Sequence, residues 1–174
     1  MKLSTAQIIL GALIVLAACY VTGWMIHKAP SELRQPNPDT SSTPRYLDVI
    51  PENYELFNIA RYGSYLLPVA GMFLLVTGAV QNVTPEARKR SLTIANIIAG
   101  LLIAATAFII TSWGYPTTFH TVMPQGSNLT GLIFTNPGRS LIAVQSVSAV
   151  MVLLGLAALG VNIAQLFKSW KTTG

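Results

Sequence analysis

The sequence predicts an all-α membrane protein with four transmembrane helices, built as two parallel-repeated units of helix, exterior loop and helix. The first observation is composition: 52% of the 174 residues are hydrophobic and 10% are charged, whereas soluble domains carry about 25% charged residues. The second is a repeat, because residues 6–24 return 89 residues later as residues 95–113, with nine of nineteen positions identical. Together they indicate that a membrane-spanning unit occurs twice.

Four apolar stretches predict the helices, at about residues 6–26, 62–82, 92–113 and 141–167. None of them contains Asp, Glu, Lys, Arg or His. At about 1.5 Å per residue, a helix of some 20 residues spans the roughly 30 Å hydrocarbon layer. Because lipid offers no hydrogen bonds to the backbone, these stretches are expected to be helical.

The repeat divides the chain into two units. Residues 1–82 form the first unit with an exterior loop at 27–61, and residues 92–174 form the second with an exterior loop at 114–140. A short basic turn at 83–91 joins them. Both units enter the membrane from the same side, so the repeat is parallel, with its axis along the membrane normal.

Charge predicts the orientation. Arg88, Lys89 and Arg90 lie in the turn between the units, and Lys2 and the C-terminal lysines lie on the same side of the membrane. Cytoplasmic segments carry an excess of Lys and Arg. We therefore expect a multi-pass cell-membrane protein with both termini in the cytoplasm. Topology also accounts for the pI of about 9.6, so we expect no nucleic-acid partner.

The single cysteine, Cys19, leaves an alternative for the N-terminus. Leu16, Ala17, Ala18 and Cys19 form a bacterial lipobox, and cleavage there would leave a lipidated Cys19 and three spanning helices. The apolar run continues past Cys19, and its repeat partner lies inside the chain, both of which favour an uncleaved helix. A single cysteine excludes a disulfide within the chain.

Small residues predict which helix faces pack against protein. On a helix of 3.6 residues per turn they form stripes, and small residues let membrane helices approach closely. Pro68 is expected to kink the second helix, and Trp24 and Trp113 are expected at the water boundaries. The predicted packing residues are Gly11, Ala18, Thr22, Gly71, Gly78, Gly100, Ala107, Thr111, Gly160 and Ala164.

Four residues are candidate contacts with lipid or a partner. Arg61 and Arg139 precede the second helix of each unit, and the repeat suggests that they correspond. Phe119 and Phe134 belong to a second loop that is unusually apolar, and exposed apolar surface of that kind marks protein contacts. The alternatives are that the arginines snorkel to the interface and that the two loops pack on each other.

The sequence offers little chemistry. The predicted spans hold no ionisable residue, and such residues mark transport paths and proton relays. No glycine-rich phosphate loop or nucleophile motif occurs. His27 and His120 are the only histidines, and histidines in loops are usually solvated. We therefore predict no enzyme activity, no cofactor, no metal and no small-molecule substrate.

The sequence resembles three known families in its pattern of helices. Residues 66–110 (LLPVAGMFLLVTGAVQNVTPEARKRSLTIANIIAGLLIAATAFII) are similar in pattern to type IV secretion pilins and to spindle-virus coat proteins, with an apolar helix, a basic turn and an apolar helix. The duplicated hairpins also resemble the rotary ATPase proteolipid, but they lack its intrahelical carboxylate.

The first functional hypothesis is a non-catalytic integral membrane subunit. It would anchor or scaffold a larger complex, for example a respiratory one, through its exterior loops and small-residue helix faces, with other membrane subunits and the lipid bilayer as partners. The alternative is a self-assembling structural protein of the pilin or viral-coat kind. A small transporter or redox anchor is the third hypothesis.

Overall fold

The computed structural model describes residues 3–28, 54–81, 83–121 and 136–173, and these are almost entirely helical. Helix α1 spans Leu3–Gly23 and continues as a π-helical turn at Trp24–Lys28. Helices α2 (Tyr54–Gly63) and α3 (Leu66–Val80) follow one another. The last two are α4 (Glu86–Thr121) and α5 (Asn136–Thr173).

Four helical segments are long and apolar enough to cross a membrane, as the sequence predicts. They are Leu3–His27, Glu55–Val80, Arg88–Trp113 and Ile142–Ser169. The second segment comprises both α2 and α3. Its first residues lie within the loop predicted at 27–61, where Pro51 and Glu52 also predict a helix start that runs into this span. A helix is present there from Tyr54.

Helices α4 and α5 begin earlier than the hydropathy pattern suggests, at residues 86 and 136 rather than 92 and 141. Helix α4 begins at Glu86, and the Pro85 carbonyl accepts hydrogen bonds from the backbone N–H groups of Arg88 and Lys89. Proline suits a helix start because its missing N–H is not needed there, and Pro137 is likewise the second residue of α5. The basic residues of the predicted turn therefore lie on the first turns of α4.

The spans form a closed ring in which each contacts two neighbours. Helix α1 packs on α3, α3 on α4, α4 on α5, and α5 on α1. Successive spans run in opposite directions, so one end of the bundle carries the start of α1, the end of α5 and the α3–α4 turn. We name this the terminal end and the opposite end the loop end.

Apolar side chains both fill the bundle and cover it. The outward-facing Leu16, Val69 and Leu153 are 71%, 67% and 66% exposed. A helix that is hydrophobic all round is typical of a membrane span, whereas a helix on a soluble bundle has a polar outer face. The core includes Ile14, Ala18, Leu67, Leu74, Ile103, Ala107, Ile110, Val144, Met151 and Ala158.

The second span breaks at Ser64 and Tyr65, just before the predicted kink residue Pro68. Pro68 lacks the N–H that would donate to the Ser64 carbonyl in a continuous helix. That carbonyl accepts instead from the Leu67 N–H at 3.2 Å and from the Thr22 hydroxyl of α1 at 2.7 Å. The neighbouring helix thus satisfies a backbone group that proline leaves free.

Candidate functional site

Glycines bring the backbones of α1 and α3 into contact. A Cβ at Gly11 would lie 2.7 Å from the backbone nitrogen of Leu75. A Cβ at Gly71 would lie 3.2 Å from the backbone nitrogen of Val15 and 2.9 Å from the Ile14 Cγ2 atom. Neither position has room for a side chain, so these glycines set the distance between the two helices.

Helices α4 and α5 meet in the same manner. A Cβ at Gly100 would lie 3.1 Å from the backbone nitrogen of Leu159, and a Cβ at Gly155 would lie 2.8 Å from that of Ala104. The sequence pattern singled out Gly100 but not Gly155. Each helix pair therefore has a close glycine contact from each of its helices, and Gly78 adds a third to the α1–α3 pair, where a Cβ would lie 3.2 Å from the backbone nitrogen of Ile8.

The glycine contacts of the first helix pair recur in the second pair, at one sequence spacing for the first helices and another for the second helices. Gly11 and Gly100 are 89 residues apart (100 − 11), and Gly71 and Gly155 are 84 residues apart (155 − 71). With the second spacing, the residue 84 positions after Arg61 is Gln145, whereas Arg139 lies 78 positions after Arg61. Six buried residues of the second span, Ala60, Ser64, Leu67, Gly71, Leu74 and Gly78, have buried counterparts 84 residues later in Val144, Ser148, Met151, Gly155, Ala158 and Asn162.

A buried polar layer lies toward the terminal end. The Gln7 amide Nε2 of α1 donates to the Leu74 carbonyl and to the Thr77 hydroxyl of α3, both at 3.1 Å. The Thr77 hydroxyl oxygen also lies 2.7 Å from Asn96 Oδ1 of α4 and 2.7 Å from the Phe73 carbonyl. A hydroxyl has one hydrogen, so Thr77 donates to one of these two acceptors at a time. Three spans are thereby joined through one threonine.

Asn162 of α5 belongs to the same layer. Gly78 lies three residues after Leu75 and is at the depth of the polar layer, because a Cβ there would lie 3.3 Å from the Gln7 Cγ atom. Asn162 lies three residues after Leu159, which contacts Gly100 as Leu75 contacts Gly11, so Asn162 lies at the same depth. Asn162 is fully buried, and its Nδ2 donates to the Ala158 carbonyl of its own helix at 2.7 Å. The layer therefore takes a buried polar residue from each of the four spans.

A second layer, of hydroxyl side chains, lies toward the loop end. Thr22 donates across to the Ser64 carbonyl, whereas Thr111 donates to the Ala107 carbonyl of its own helix at 2.8 Å. The difference follows from the sequence. Pro68 leaves the Ser64 carbonyl free to accept from Thr22, whereas the residue 84 positions after Pro68 is Val152 and α5 is unbroken there. Ser148 is fully buried, and its hydroxyl has no hydrogen-bond partner among the described residues.

Aromatic and polar side chains form the next layer outward. Trp24 and Trp113 are only 4% and 2% exposed, and the Trp113 ring lies 5.1 Å from that of Phe57. Both tryptophans therefore point into the bundle rather than toward lipid, because they continue the buried stripes of α1 and α4. The half-buried Arg61 and Gln145 complete the layer. We name Trp24, Arg61, Trp113 and Gln145 the loop-end layer.

Most of the predicted packing residues lie inside the bundle. Thr111 is half-buried, while Gly160 and Ala164 are exposed, and nothing lies within 4 Å of a Cβ at Gly160. Since Gly155 and Asn162 define the buried stripe of α5, Gly160 lies about 140° round the helix from Gly155. The buried members are Gly11, Ala18, Thr22, Gly71, Gly78, Gly100 and Ala107.

Several candidate contact residues fall outside the described set. Phe134 lies outside the described residues, and Phe119 and Arg139 lie in helical segments whose side chains are not described. In the described part of the chain, His27 is exposed and no group of three His, Cys, Asp or Glu could hold a metal ion. Comparison with protein-family models, with curated proteins and with solved structures finds no match to this chain.

Proposed function

We propose that the chain is a non-catalytic integral membrane subunit that anchors or scaffolds a larger membrane complex. One observation carries the proposal: an exposed small-residue face on α5. Ala157, Gly160 and Ala164 are exposed and lie along one side of the helix. We name these three residues the α5 outer face.

The fold of the chain itself gives no reason for a glycine at position 160. Glycine in the middle of a helix is about 1 kcal/mol less favourable than alanine. Gly11, Gly71, Gly100 and Gly155 each allow a close backbone contact within the bundle, but a Cβ at Gly160 would meet nothing within 4 Å. Small residues on a membrane helix admit the backbone of another helix, so the α5 outer face suits a transmembrane helix of a partner.

The proposal includes an orientation in the cell membrane. Arg88, Lys89 and Arg90 on α4 and Lys168 on α5 lie at the terminal end of the bundle. The excess of basic residues on cytoplasmic segments would place this end inside. Both termini would then be cytoplasmic, and the loop end would face the exterior.

We further propose that the two halves are a tandem repeat. The support is the pair of constant spacings, 89 residues for the first helices and 84 for the second, which relate the glycine contacts of the two helix pairs. A repeat of this kind would give a bundle with an approximate twofold axis along the membrane normal. The α5 outer face breaks that symmetry, because the residue 84 positions before Gly160 is Val76.

Co-purification tests the proposed function. The variant Gly160→Leu fills the α5 outer face, and Ala105→Leu is its control, because Ala105 is exposed on α4. After mild detergent extraction from the native membrane, native mass spectrometry should find other polypeptides with the wild type and with A105L. We expect G160L to lose them while retaining its helical content.

Two results would count against the anchor. Recovery of the wild-type chain without any other polypeptide would contradict the anchoring function. Recovery of a homopolymer alone would favour the self-assembling pilin-like or coat-like alternative.

A further inference from the structure

The loop-end layer contains buried hydrogen-bond donors that lack acceptors. Trp24 Nε1, Arg61 Nε and Gln145 Nε2 are all buried, and none has a partner among the described residues. We propose that this layer binds a phosphate oxyanion, such as the headgroup phosphate of an anionic lipid. Nothing in the proposed anchoring role requires such a site, so the two proposals are independent.

The helix contacts place these donors at a common depth. Gly71 contacts Val15, and Gly155 contacts Ala104. Seven residues further toward the loop end, each of these contact residues is followed by a hydroxyl side chain. Gly71 leads to Ser64, Val15 to Thr22, Gly155 to Ser148 and Ala104 to Thr111. The 2.7 Å bond from the Thr22 hydroxyl to the Ser64 carbonyl shows that this level is shared between α1 and the second span.

One further step outward reaches the proposed site. Arg61 and Gln145 lie three residues beyond Ser64 and Ser148, and Trp24 lies two residues beyond Thr22. Since a helix rises about 1.5 Å per residue, these side chains begin within about 5 Å of the hydroxyl layer. The buried Ser148 hydroxyl, which also lacks a partner among the described residues, lies three residues from Gln145 toward the middle of α5.

The chemistry of the donors selects an anion. An indole N–H and a guanidinium can donate hydrogen bonds but cannot accept them. Arg61 is half-buried, and its Nε has no carboxylate partner in the described part of the chain, where the nearest acidic residue along α2, Glu55, is exposed. Leaving donors unpaired in a poorly solvated place costs free energy. An acceptor with negative charge and several oxygens removes that cost from more than one helix at once.

The position along the helices favours a lipid phosphate. The spans end at His27 and begin at Glu55 on this side, so Trp24 and Arg61 lie a few residues inside the ends. That depth is the level of the headgroup region of a bilayer. A free phosphate ion carries the same oxygens, so the experiment must separate the two sources.

Native mass spectrometry of the full chain in detergent tests this site. The probes are short-chain phosphatidylglycerol, short-chain phosphatidylcholine and inorganic phosphate, each titrated separately. The variants are Arg61→Gln, Gln145→Leu and the control Arg88→Gln. Glutamine is the residue at the corresponding position 145, so R61Q is expected to fold, and R88Q removes the same charge from an exposed site on α4.

We expect one phosphatidylglycerol to bind per chain, with affinity about tenfold lower in R61Q and clearly reduced in Q145L, because a charge-assisted hydrogen bond is lost. R88Q should bind like the wild type. Binding of phosphatidylglycerol but not of inorganic phosphate assigns the site to lipid, whereas binding of both assigns it to phosphate in general. Equal loss in R61Q and R88Q, loss in R61Q without loss in Q145L, or no loss in either loop-end variant would overturn the proposal.

Discussion

Replacing Gly11 with alanine is expected to destabilise the bundle by about 3 kcal/mol, the upper end of the usual cost of overpacking. The new Cβ would lie 2.7 Å from the nitrogen and 2.8 Å from the Cα atom of Leu75. These are backbone atoms, so no rotamer change can relieve the clash. The two helices must separate, and the apolar contacts along the α1–α3 interface are then lost.

The same substitution at Gly155 should have a similar effect, since its Cβ would lie 2.8 Å from the Ala104 backbone nitrogen. The matched control is Gly160→Ala on the same helix, where the new methyl group has free space around it. In detergent-solubilised protein without partners, G160A should be neutral or slightly stabilising, because alanine favours the helix. Thermal unfolding followed by circular dichroism measures all three variants. Equal melting temperatures would show that the glycine contacts do not determine packing.

Replacing Thr77 with valine is expected to destabilise the bundle by about 2 kcal/mol, although the two side chains have nearly the same shape. Loss of the hydroxyl leaves Asn96 Oδ1 without its 2.7 Å partner and leaves Gln7 Nε2 with only the Leu74 carbonyl. An average hydrogen bond between membrane helices contributes only about 0.6 kcal/mol. The larger figure arises because one change leaves buried groups on two other helices unpaired, at about 1–3 kcal/mol each before relaxation.

Thr93→Val provides the control for this prediction. Thr93 is as buried as Thr77, at 5% against 6% exposure, but its hydroxyl donates only to the Lys89 carbonyl of its own helix. T93V should therefore shift the SDS or thermal unfolding midpoint much less than T77V. If the two variants unfold at the same midpoint, the polar layer does not join the spans energetically.

Local patterns in the sequence predicted the spans, both packing faces of the α1–α3 pair and one of the two packing faces of the α4–α5 pair. Long apolar runs required helices because lipid satisfies no backbone group. Periodicity placed Gln7, Gly11, Asn96 and Gly100 on inward faces, and all four are buried. The helical residues 54–61 and 114–121 lie beyond the apolar runs, so hydropathy could not place those ends.

Residues whose role depends on a partner helix were harder to find. Thr77 lies in an ordinary apolar run, and its importance comes from Gln7 and Asn96, which are distant in sequence. Gly155 could have been found, since Gly155 and Leu159 repeat the spacing of Gly71 and Leu75. The small residues Gly160 and Ala164, four positions apart, instead predicted an inward face on α5, and both are exposed.

The burial of the tryptophans also required the three-dimensional structure. Position along a helix predicts that a tryptophan near its end lies at the water boundary, but it does not fix which way the ring points. Trp24 lies in the π-helical turn at Trp24–Lys28 and Trp113 lies in regular α-helix, and both are buried because they continue the inward faces of α1 and α4.

Photocrosslinking from position 160 in the native membrane tests most directly whether the chain anchors other proteins. A benzophenone amino acid at position 160 would project from the α5 outer face, and the same probe at position 105 would project from α4. We expect a discrete adduct between this chain and a different membrane polypeptide from position 160, and no such adduct from position 105. No protein adduct from position 160, or adducts only with further copies of this chain, would contradict it.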